Sequence, residues 1–266
     1  MARKPPKNLE SAEMPAKPRG FSPIPARFLL PNLVTLMALC SGITAIRWAA
    51  EGRFEFAVAG IIVAIVLDAL DGRLARYLQG TSRFGAELDS LADFVNFGVA
   101  PAIVLYLWSL NSLRNFGWVV CLVLAIGCAL RLARFNVALD DPKKPAWMAG
   151  YFTGMPAPAG ALLALTPLYL GFLGLIAEGH PHAKFIAFYE IIVACLLVSR
   201  VPTFSGKTLT RVPREFYGPI LAAMAVFMAL LISYPWEMLT FLSLIYLISI
   251  PFGVMRYLRL KRRHIG

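Results

Sequence analysis

The chain has 266 residues, of which 58% are hydrophobic and only 15% are charged. Soluble domains carry roughly 25% charged residues, and a chain of this size cannot hide so much apolar surface from water. The formal net charge is +11, and the basic residues gather in short clusters between apolar runs, as in membrane-protein loops. The composition excludes an ordinary soluble domain, and the clustering argues against a nucleic-acid-binding protein.

The N-terminal segment, residues 1–27, is polar, basic and rich in proline. Such a composition cannot bury enough apolar surface to fold, so we predict a disordered cytoplasmic tail.

Apolar stretches of membrane-spanning length follow the tail. A spanning helix needs about 20 mostly apolar residues, and eight stretches approach or meet that length. We predict an all-α, polytopic membrane bundle of about eight transmembrane helices. The stretches are 29–50, 54–78, 86–109, 116–138, 155–177, 184–200, 216–234 and 236–257.

The basic residues give this bundle an orientation. An even number of helices places both termini on one side, and that side receives 22 of the 26 Lys and Arg residues. Because cytoplasmic loops carry the excess of basic residues, we expect both termini in the cytoplasm of a cell inner (cytoplasmic) membrane.

Four aspartates flank the short loop between the second and third predicted helices: Asp68, Asp71, Asp89 and Asp93. The first two are separated by i, i+3 and the last two by i, i+4, so each pair lies on one helix face. The helices form a hairpin, which brings the pairs together near the cytoplasmic membrane surface. Convergent carboxylates suit hard divalent cations, and we predict a site for Mg²⁺ or Mn²⁺ that holds two ions.

Two other interpretations of these acids are open. The aspartates can form buried ion pairs with nearby basic residues (Arg73, Arg76 and Arg83), with the neighbouring glycines serving helix packing. Intramembrane acids also mark ion paths, although a cation transporter would need acids distributed across the bilayer. Here they cluster at one end of the spans.

The acids belong to a longer pattern, D-x2-D-G-x2-A-R-x8-G-x3-D-x3-D, which begins at Asp68. With every fixed position present, it resembles the signature of the CDP-alcohol phosphotransferase family. The resemblance implies that the four aspartates bind two metal ions and that Asp93 is the base that deprotonates the acceptor hydroxyl. It also implies that CDP-diacylglycerol is bound by Pro31, Asn32, Thr35, Gly72, Ala75, Arg76, Ser82 and Gly85.

The residues around the motif bear on the acceptor alcohol. Ser90 and Phe94 follow the last two aspartates, where members that use glycerol phosphate usually have Pro and Lys. These positions, and the run Arg131-Leu-Ala-Arg134-Phe-Asn136, resemble integral-membrane members whose acceptor is L-serine. The resemblance implies a homodimer with CDP-diacylglycerol and L-serine as substrates. The orientation inferred from the basic residues places the active site on the cytoplasmic side. Choline, inositol phosphate and glycerol phosphate stay open as alternative acceptors.

A zwitterion such as serine needs a cation for its carboxylate and an acceptor for its ammonium group. Arg131, Arg134 and Asn136 are predicted at the same membrane level as the acids, and arginine suits bidentate carboxylate recognition. We predict these residues, with Lys207, as serine-binding. The alternative is that the arginines anchor the helix end and that Lys207 belongs to an ordinary turn.

These expectations divide the chain into three parts. Residues 1–27 form the tail, residues 28–200 a six-helix catalytic core, and residues 201–266 a loop, two additional transmembrane helices and a basic C-terminal tail.

Overall fold

A computed structural model of the chain describes residues 26–139, 151–176, 180–199, 202–204 and 216–265. The predicted tail up to residue 25 and Lys207 lie outside these residues. Within these residues there are eight helical units, and each coincides with one predicted stretch. They are α1 (Ala26–Ala50), α2 (Phe54–Tyr77), α3 (Arg83–Asp93) joined to α4 (Ala100–Trp108), α5 (Asn115–Leu139), α6 (Ala157–Ala164) followed by α7 (Thr166–Phe172), α8 (Ala183–Val198), α9 (Tyr217–Ser233) and α10 (Pro235–Ile265). The prediction of a helical membrane bundle is confirmed at this level.

Four segments of these units are long and apolar enough to cross a membrane: 27–50, 83–108, 115–138 and 235–255. Two shorter apolar helical segments, 157–172 and 217–233, accompany them. α2 carries aspartates and arginines in its second half, and α8 has only 16 residues. The chain is therefore a multi-pass membrane protein.

Small residues allow the helices to approach closely. The Ser41 hydroxyl of α1 donates to the Gly60 carbonyl of α2 at 2.8 Å, and a Cβ on Gly60 would lie 3.1 Å from the Ala45 side chain. Similarly, a Cβ on Gly127 in α5 would lie 3.2 Å from the Ala194 carbonyl oxygen in α8. In a bilayer, where lipid is as apolar as leucine, close packing of this kind is a main source of helix association.

The third unit is not a continuous α-helix. Between α3 and α4, residues Phe94–Val99 form a π-helical turn, and Asn96, Phe97 and Gly98 within it are buried. A π-turn inserts one extra residue into a helix and is frequent at functional sites. Here it directly follows Asp93.

Two short strands depart from the all-α prediction. β1 (Tyr151–Thr153) precedes α6 and pairs antiparallel with β2 (Pro202–Phe204), which follows α8. Three-residue strands have too few side chains to show a period in sequence. The pairing fixes the ends of two distant loops beside each other.

Candidate functional site

The acidic cluster is formed as the hairpin geometry predicts. Side-chain oxygen atoms of Asp68 and Asp71 in α2 and of Asp89 in α3 all lie within 4.8 Å of one another. Asp93, one helical turn after Asp89, lies near enough to Asp68 for the two carboxyl groups to interact. Two adjacent helices thus bring three carboxyl groups together, with Asp93 next to Asp68.

No basic side chain pairs with this cluster in the part of the chain that the structure describes. The ion pairs there join Glu51 to Arg47 at 2.8 Å and to Arg53 at 4.0 Å, at the opposite end of α2. The buried-ion-pair interpretation, with Arg73, Arg76 and Arg83 as partners, is therefore not what the described residues show. Because unpaired buried carboxylates are costly, the donor set fits a hard divalent cation.

Thr35 links α1 to the cluster. Its hydroxyl lies 2.6 Å from Asp71 Oδ2 and 3.1 Å from the carbonyl oxygen of Pro31. Both Thr35 and Asp71 are buried, each 4% exposed, so this contact has little freedom to move. The hydroxyl therefore fixes the direction of the Asp71 carboxylate.

A cavity of about 350 Å³ opens beside the cluster, between the start of α1 and the α2–α3 hairpin. Asp71 and Asp89 form part of its wall. All eight residues predicted to bind CDP-diacylglycerol also line it, and Gly80, Thr81 and Ala86, which the sequence did not single out, complete it. The predicted residues are Pro31, Asn32, Thr35, Gly72, Ala75, Arg76, Ser82 and Gly85.

The two motif glycines differ in what surrounds them. A Cβ on Gly85 would lie 2.8 Å from Asn32 Oδ1 and 3.1 Å from Ser82 Oγ, so a larger residue there would displace these two side chains. Around Gly72 the nearest atoms are the guanidinium nitrogens of Arg76, 3.9 Å away. Gly72 therefore leaves free space beside the cavity.

Ser82 has a local role as well. It is extended and serves as the N-cap of α3, where its hydroxyl accepts a hydrogen bond from the Gly85 amide at 3.0 Å. Such caps satisfy one of the free amides that begin a helix. The serine thus fixes where α3 starts, and with it the direction in which Asp89 and Asp93 point around the helix axis.

The predicted serine-binding residues lie at the cytoplasmic end of α5 in the predicted topology. Arg131, 7% exposed, donates from Nε to the Met155 carbonyl, and Arg134 donates to the Val198 carbonyl. Asn136 Nδ2 donates to Ser90 Oγ at 2.9 Å. Both arginines therefore hold helix ends, and each keeps further N–H groups beyond the one used.

Sequence reasoning missed Glu190, in the middle of α8. Its side chain is 1% exposed, and neither carboxylate oxygen has a hydrogen-bond partner in the part of the chain that the structure describes. The available signal was a lone acid in the apolar run 183–198. Asn96, three residues after Asp93 in the π-turn, is fully buried, and its side-chain amide likewise has no hydrogen-bond partner among the described residues.

Comparison with known proteins relates this geometry to a family. A family model described as CDP-alcohol phosphatidyltransferase matches residues 28–198, and a second, CDP-alcohol phosphatidyltransferase 2, matches residues 217–251. A CDP-diacylglycerol–serine O-phosphatidyltransferase of Mycobacterium leprae is 40% identical over 91% of this chain and 79% of its own length. One of Helicobacter pylori is 32% identical over 89% and 94%. An archaetidylserine synthase of Methanothermobacter thermautotrophicus is 32% identical over 65% and 68%.

Proposed function

This chain belongs to the CDP-alcohol phosphatidyltransferase family, and from that premise we propose that it transfers the phosphatidyl group of CDP-diacylglycerol to the hydroxyl of L-serine. The products are phosphatidylserine and CMP. The observation that carries the proposal is the shared wall between the acidic cluster and the adjacent cavity, to which Asp71 and Asp89 both contribute. This arrangement suits a substrate with a charged diphosphate and a bulky nucleotide.

Asp68, Asp71, Asp89 and Asp93 would hold the metal, which we propose to be two ions of Mg²⁺ or Mn²⁺. When bound, divalent ions offset the negative charge of carboxylates and of a diphosphate. The three oxygens within 4.8 Å of one another provide the ligands that these ions prefer.

Beside the acids, the cavity accommodates the CDP group. Gly72 leaves free space for a ligand to approach the backbone of α2, and the Arg76 guanidinium next to it can form charge-assisted hydrogen bonds with a phosphate. Six other cavity residues complete the proposed CDP-diacylglycerol site: Pro31, Asn32, Thr35, Ala75, Ser82 and Gly85.

In the proposed reaction, Asp93 accepts the proton of the serine hydroxyl as the serine oxygen attacks the β-phosphorus. The bond between that phosphorus and the oxygen bridging to the α-phosphate breaks, and CMP leaves with the bonding electron pair. A free aspartate is a weak base at neutral pH, so positioning must supply much of the rate. The position of Asp93 beside Asp68 supports this role.

For the acceptor, we propose that the serine carboxylate binds Arg131, and that Arg134, Asn136 and Lys207 also belong to the serine site. Arg131 is almost fully buried, and in the described chain it contacts a carbonyl oxygen rather than a carboxylate. A buried cation with no carboxylate in ion-pair contact is costly, and Asp93 is the acid near enough to interact with it electrostatically. An anionic group of the substrate would provide that partner.

The remaining proposals concern the whole chain. We propose that the protein lies in the cell inner membrane with its termini and active site facing the cytoplasm. We also propose that its three parts divide after residues 27 and 200, as the sequence suggests. Finally, we expect a homodimer. Light scattering of the detergent-solubilised protein tests the dimer, and a monomeric mass at assay concentrations would contradict it.

The variant Asp93→Asn tests the reaction. It keeps the size of the side chain while removing the base, so we expect normal membrane insertion and a loss of serine-dependent CMP release of roughly 10²–10⁴-fold. Release of labelled CMP from CDP-diacylglycerol measures this. Turnover close to that of the wild type would remove Asp93 from its assigned role.

A panel of acceptors tests the choice of alcohol. The purified wild type is supplied with CDP-diacylglycerol and one of serine, choline, inositol phosphate or glycerol phosphate, and the lipid product is identified by mass spectrometry. We expect phosphatidylserine. A different product lipid would show that the reaction class is right and that the acceptor alcohol is not serine.

A further inference from the structure

Ser90 and Asn136 form a hydrogen bond between α3 and α5, immediately after the metal-site residue Asp89. Asn136 Nδ2 lies 2.9 Å from Ser90 Oγ, and both side chains are half-buried. The bond ties the amide of Asn136 to the residue that directly follows Asp89 in α3.

The orientation of the Asn136 amide follows from the donors available. The single hydroxyl hydrogen of Ser90 is donated to the Ala86 carbonyl oxygen at 3.0 Å, so toward Asn136 this serine can only accept. The atom of Asn136 that faces it must then be the amide nitrogen. Its carbonyl oxygen consequently points elsewhere, and nothing in the described part of the chain donates to it.

We infer that Ser90 is a positioning residue that selects the acceptor alcohol through Asn136. By holding the amide nitrogen, Ser90 presents the Asn136 carbonyl oxygen as a hydrogen-bond acceptor for the ammonium group of an amino alcohol. This inference rests on the proposed function and deepens it: the site takes acceptors that carry both a hydroxyl and an ammonium group.

An amide suits this position better than an acid. A carboxylate beside Asp89 would add another ligand to the acidic cluster and compete for its cations. The amide oxygen accepts from an ammonium group without adding charge. The buried guanidinium of Arg131, on the same helix, is available to bind the carboxylate. α5 thus supplies a cation for the carboxylate of the zwitterion and a hydrogen-bond acceptor for its ammonium group.

The variant Ser90→Ala tests the inference. Removing the hydroxyl frees the Asn136 amide to rotate, and the loss of one hydrogen bond is expected to raise the KM for serine about tenfold. The KM for CDP-diacylglycerol stays within twofold of the wild type. Ser90→Thr, which retains a hydroxyl at the same carbon, restores the KM for serine.

Competition with two analogues separates positioning from general damage. Ethanolamine has the ammonium group without the carboxylate, and glycerate has the carboxylate without the ammonium group. The quantity measured is the formation of phosphatidylserine from serine. Ser90→Ala is expected to weaken the inhibition of this reaction by ethanolamine and to leave its inhibition by glycerate unchanged. The matched control is Ser112→Ala, which also removes a hydroxyl bonded to a backbone carbonyl (that of Ser109, at 2.8 Å) but lies in the turn before α5.

An unchanged KM for serine in Ser90→Ala, with an active wild type, overturns this inference and leaves the proposed function intact. Equal weakening of ethanolamine and glycerate also overturns it, because that result indicates a general disturbance of the site. A wild type that releases no CMP when serine is added refutes the proposed function, and the inference with it.

Discussion

The hydroxyl of Thr35 makes the acidic site a product of three helices rather than two. Its 2.6 Å contact with Asp71 comes from α1, whereas the aspartates themselves belong to α2 and α3. Side-chain hydrogen bonds of this kind orient the residues that bind metals and are often as important as the ligands. The position of α1 is therefore part of the site.

Glu190 represents the opposite case, a buried acid with no described partner and no place in the proposed reaction. Burying an unsatisfied polar group costs about 1–3 kcal/mol in proteins. We expect Glu190→Met, which fills a similar volume, to raise the thermal unfolding midpoint in detergent while leaving CMP release unchanged. Light-scattering or fluorescence melting curves measure the first quantity.

The conservative change Glu190→Gln serves as the control, because it keeps an unpartnered polar side chain and should stabilise less. If Glu190→Met abolishes activity while the fold is retained, this acid has a function that the proposed reaction does not include.

At single residues, sequence reasoning succeeded where short-range geometry decides the outcome. Asp68 and Asp71 share a face because of helical spacing alone, and the short loop brings Asp89 to them. The contact between Ser90 and Asn136 could not be predicted, because it depends on how α5 packs against α3. Similarly, the sequence could not show that Arg131 and Arg134 would each contact a carbonyl of another segment.

Among the elements, the π-turn between α3 and α4 is held against α1 at a single glycine. A Cβ on Gly42 would collide with the amide oxygen of Asn96 and lie 3.0 Å from its Cγ. Because Asn96 is fully buried, its side chain has no room to withdraw. The approach of α1 to the π-turn therefore depends on Gly42.

We expect Gly42→Ala to destabilise the protein by about 1–3 kcal/mol, the usual cost of overpacking, and to reduce activity because α1 also carries Thr35. Thermal unfolding and CMP release measure the two effects.

The matched control for this variant is Gly218→Ala in α9, where a Cβ would meet nothing within 4 Å and alanine is the better helix former. A Gly42→Ala protein as stable as this control would contradict the close packing of α1 on the π-turn.

Helical elements were predictable because runs of about 20 apolar residues leave few alternatives in a bilayer. The π-turn was not, since its residues Phe94–Val99 continue the same apolar run without a break. The β1–β2 pairing depends on two loops separated by three helices. No local sequence pattern indicates which residues of the two strands pair with each other.

At the scale of the whole molecule, hydrogen bonds join the ends of distant helices near the α2–α3 hairpin. Ser90 and Asn136 bring the end of α5 beside the α2–α3 hairpin, and Arg134 brings the end of α8 to the same place. That this end faces the cytoplasm stays a prediction, which rests on the excess of basic residues in cytoplasmic loops.

Reporter fusions in a bacterial host test the topology. Green fluorescent protein fused after the C-terminus is expected to fluoresce, and alkaline phosphatase inserted in the turn at Asn111 is expected to be active. The reverse pair of results would show that the protein has the opposite orientation, with the acidic cluster on the outer side of the membrane.

The central claim, that carboxylates from α2 and α3 converge on divalent cations, is tested most directly by anomalous diffraction from crystals soaked in Mn²⁺. We predict manganese peaks between Asp68, Asp71 and Asp89, with Asp93 alongside. Crystals of Asp71→Asn should show reduced occupancy. Carboxylates that point apart, or that contact Arg73 or Arg76 with no metal peak between them, would contradict the account.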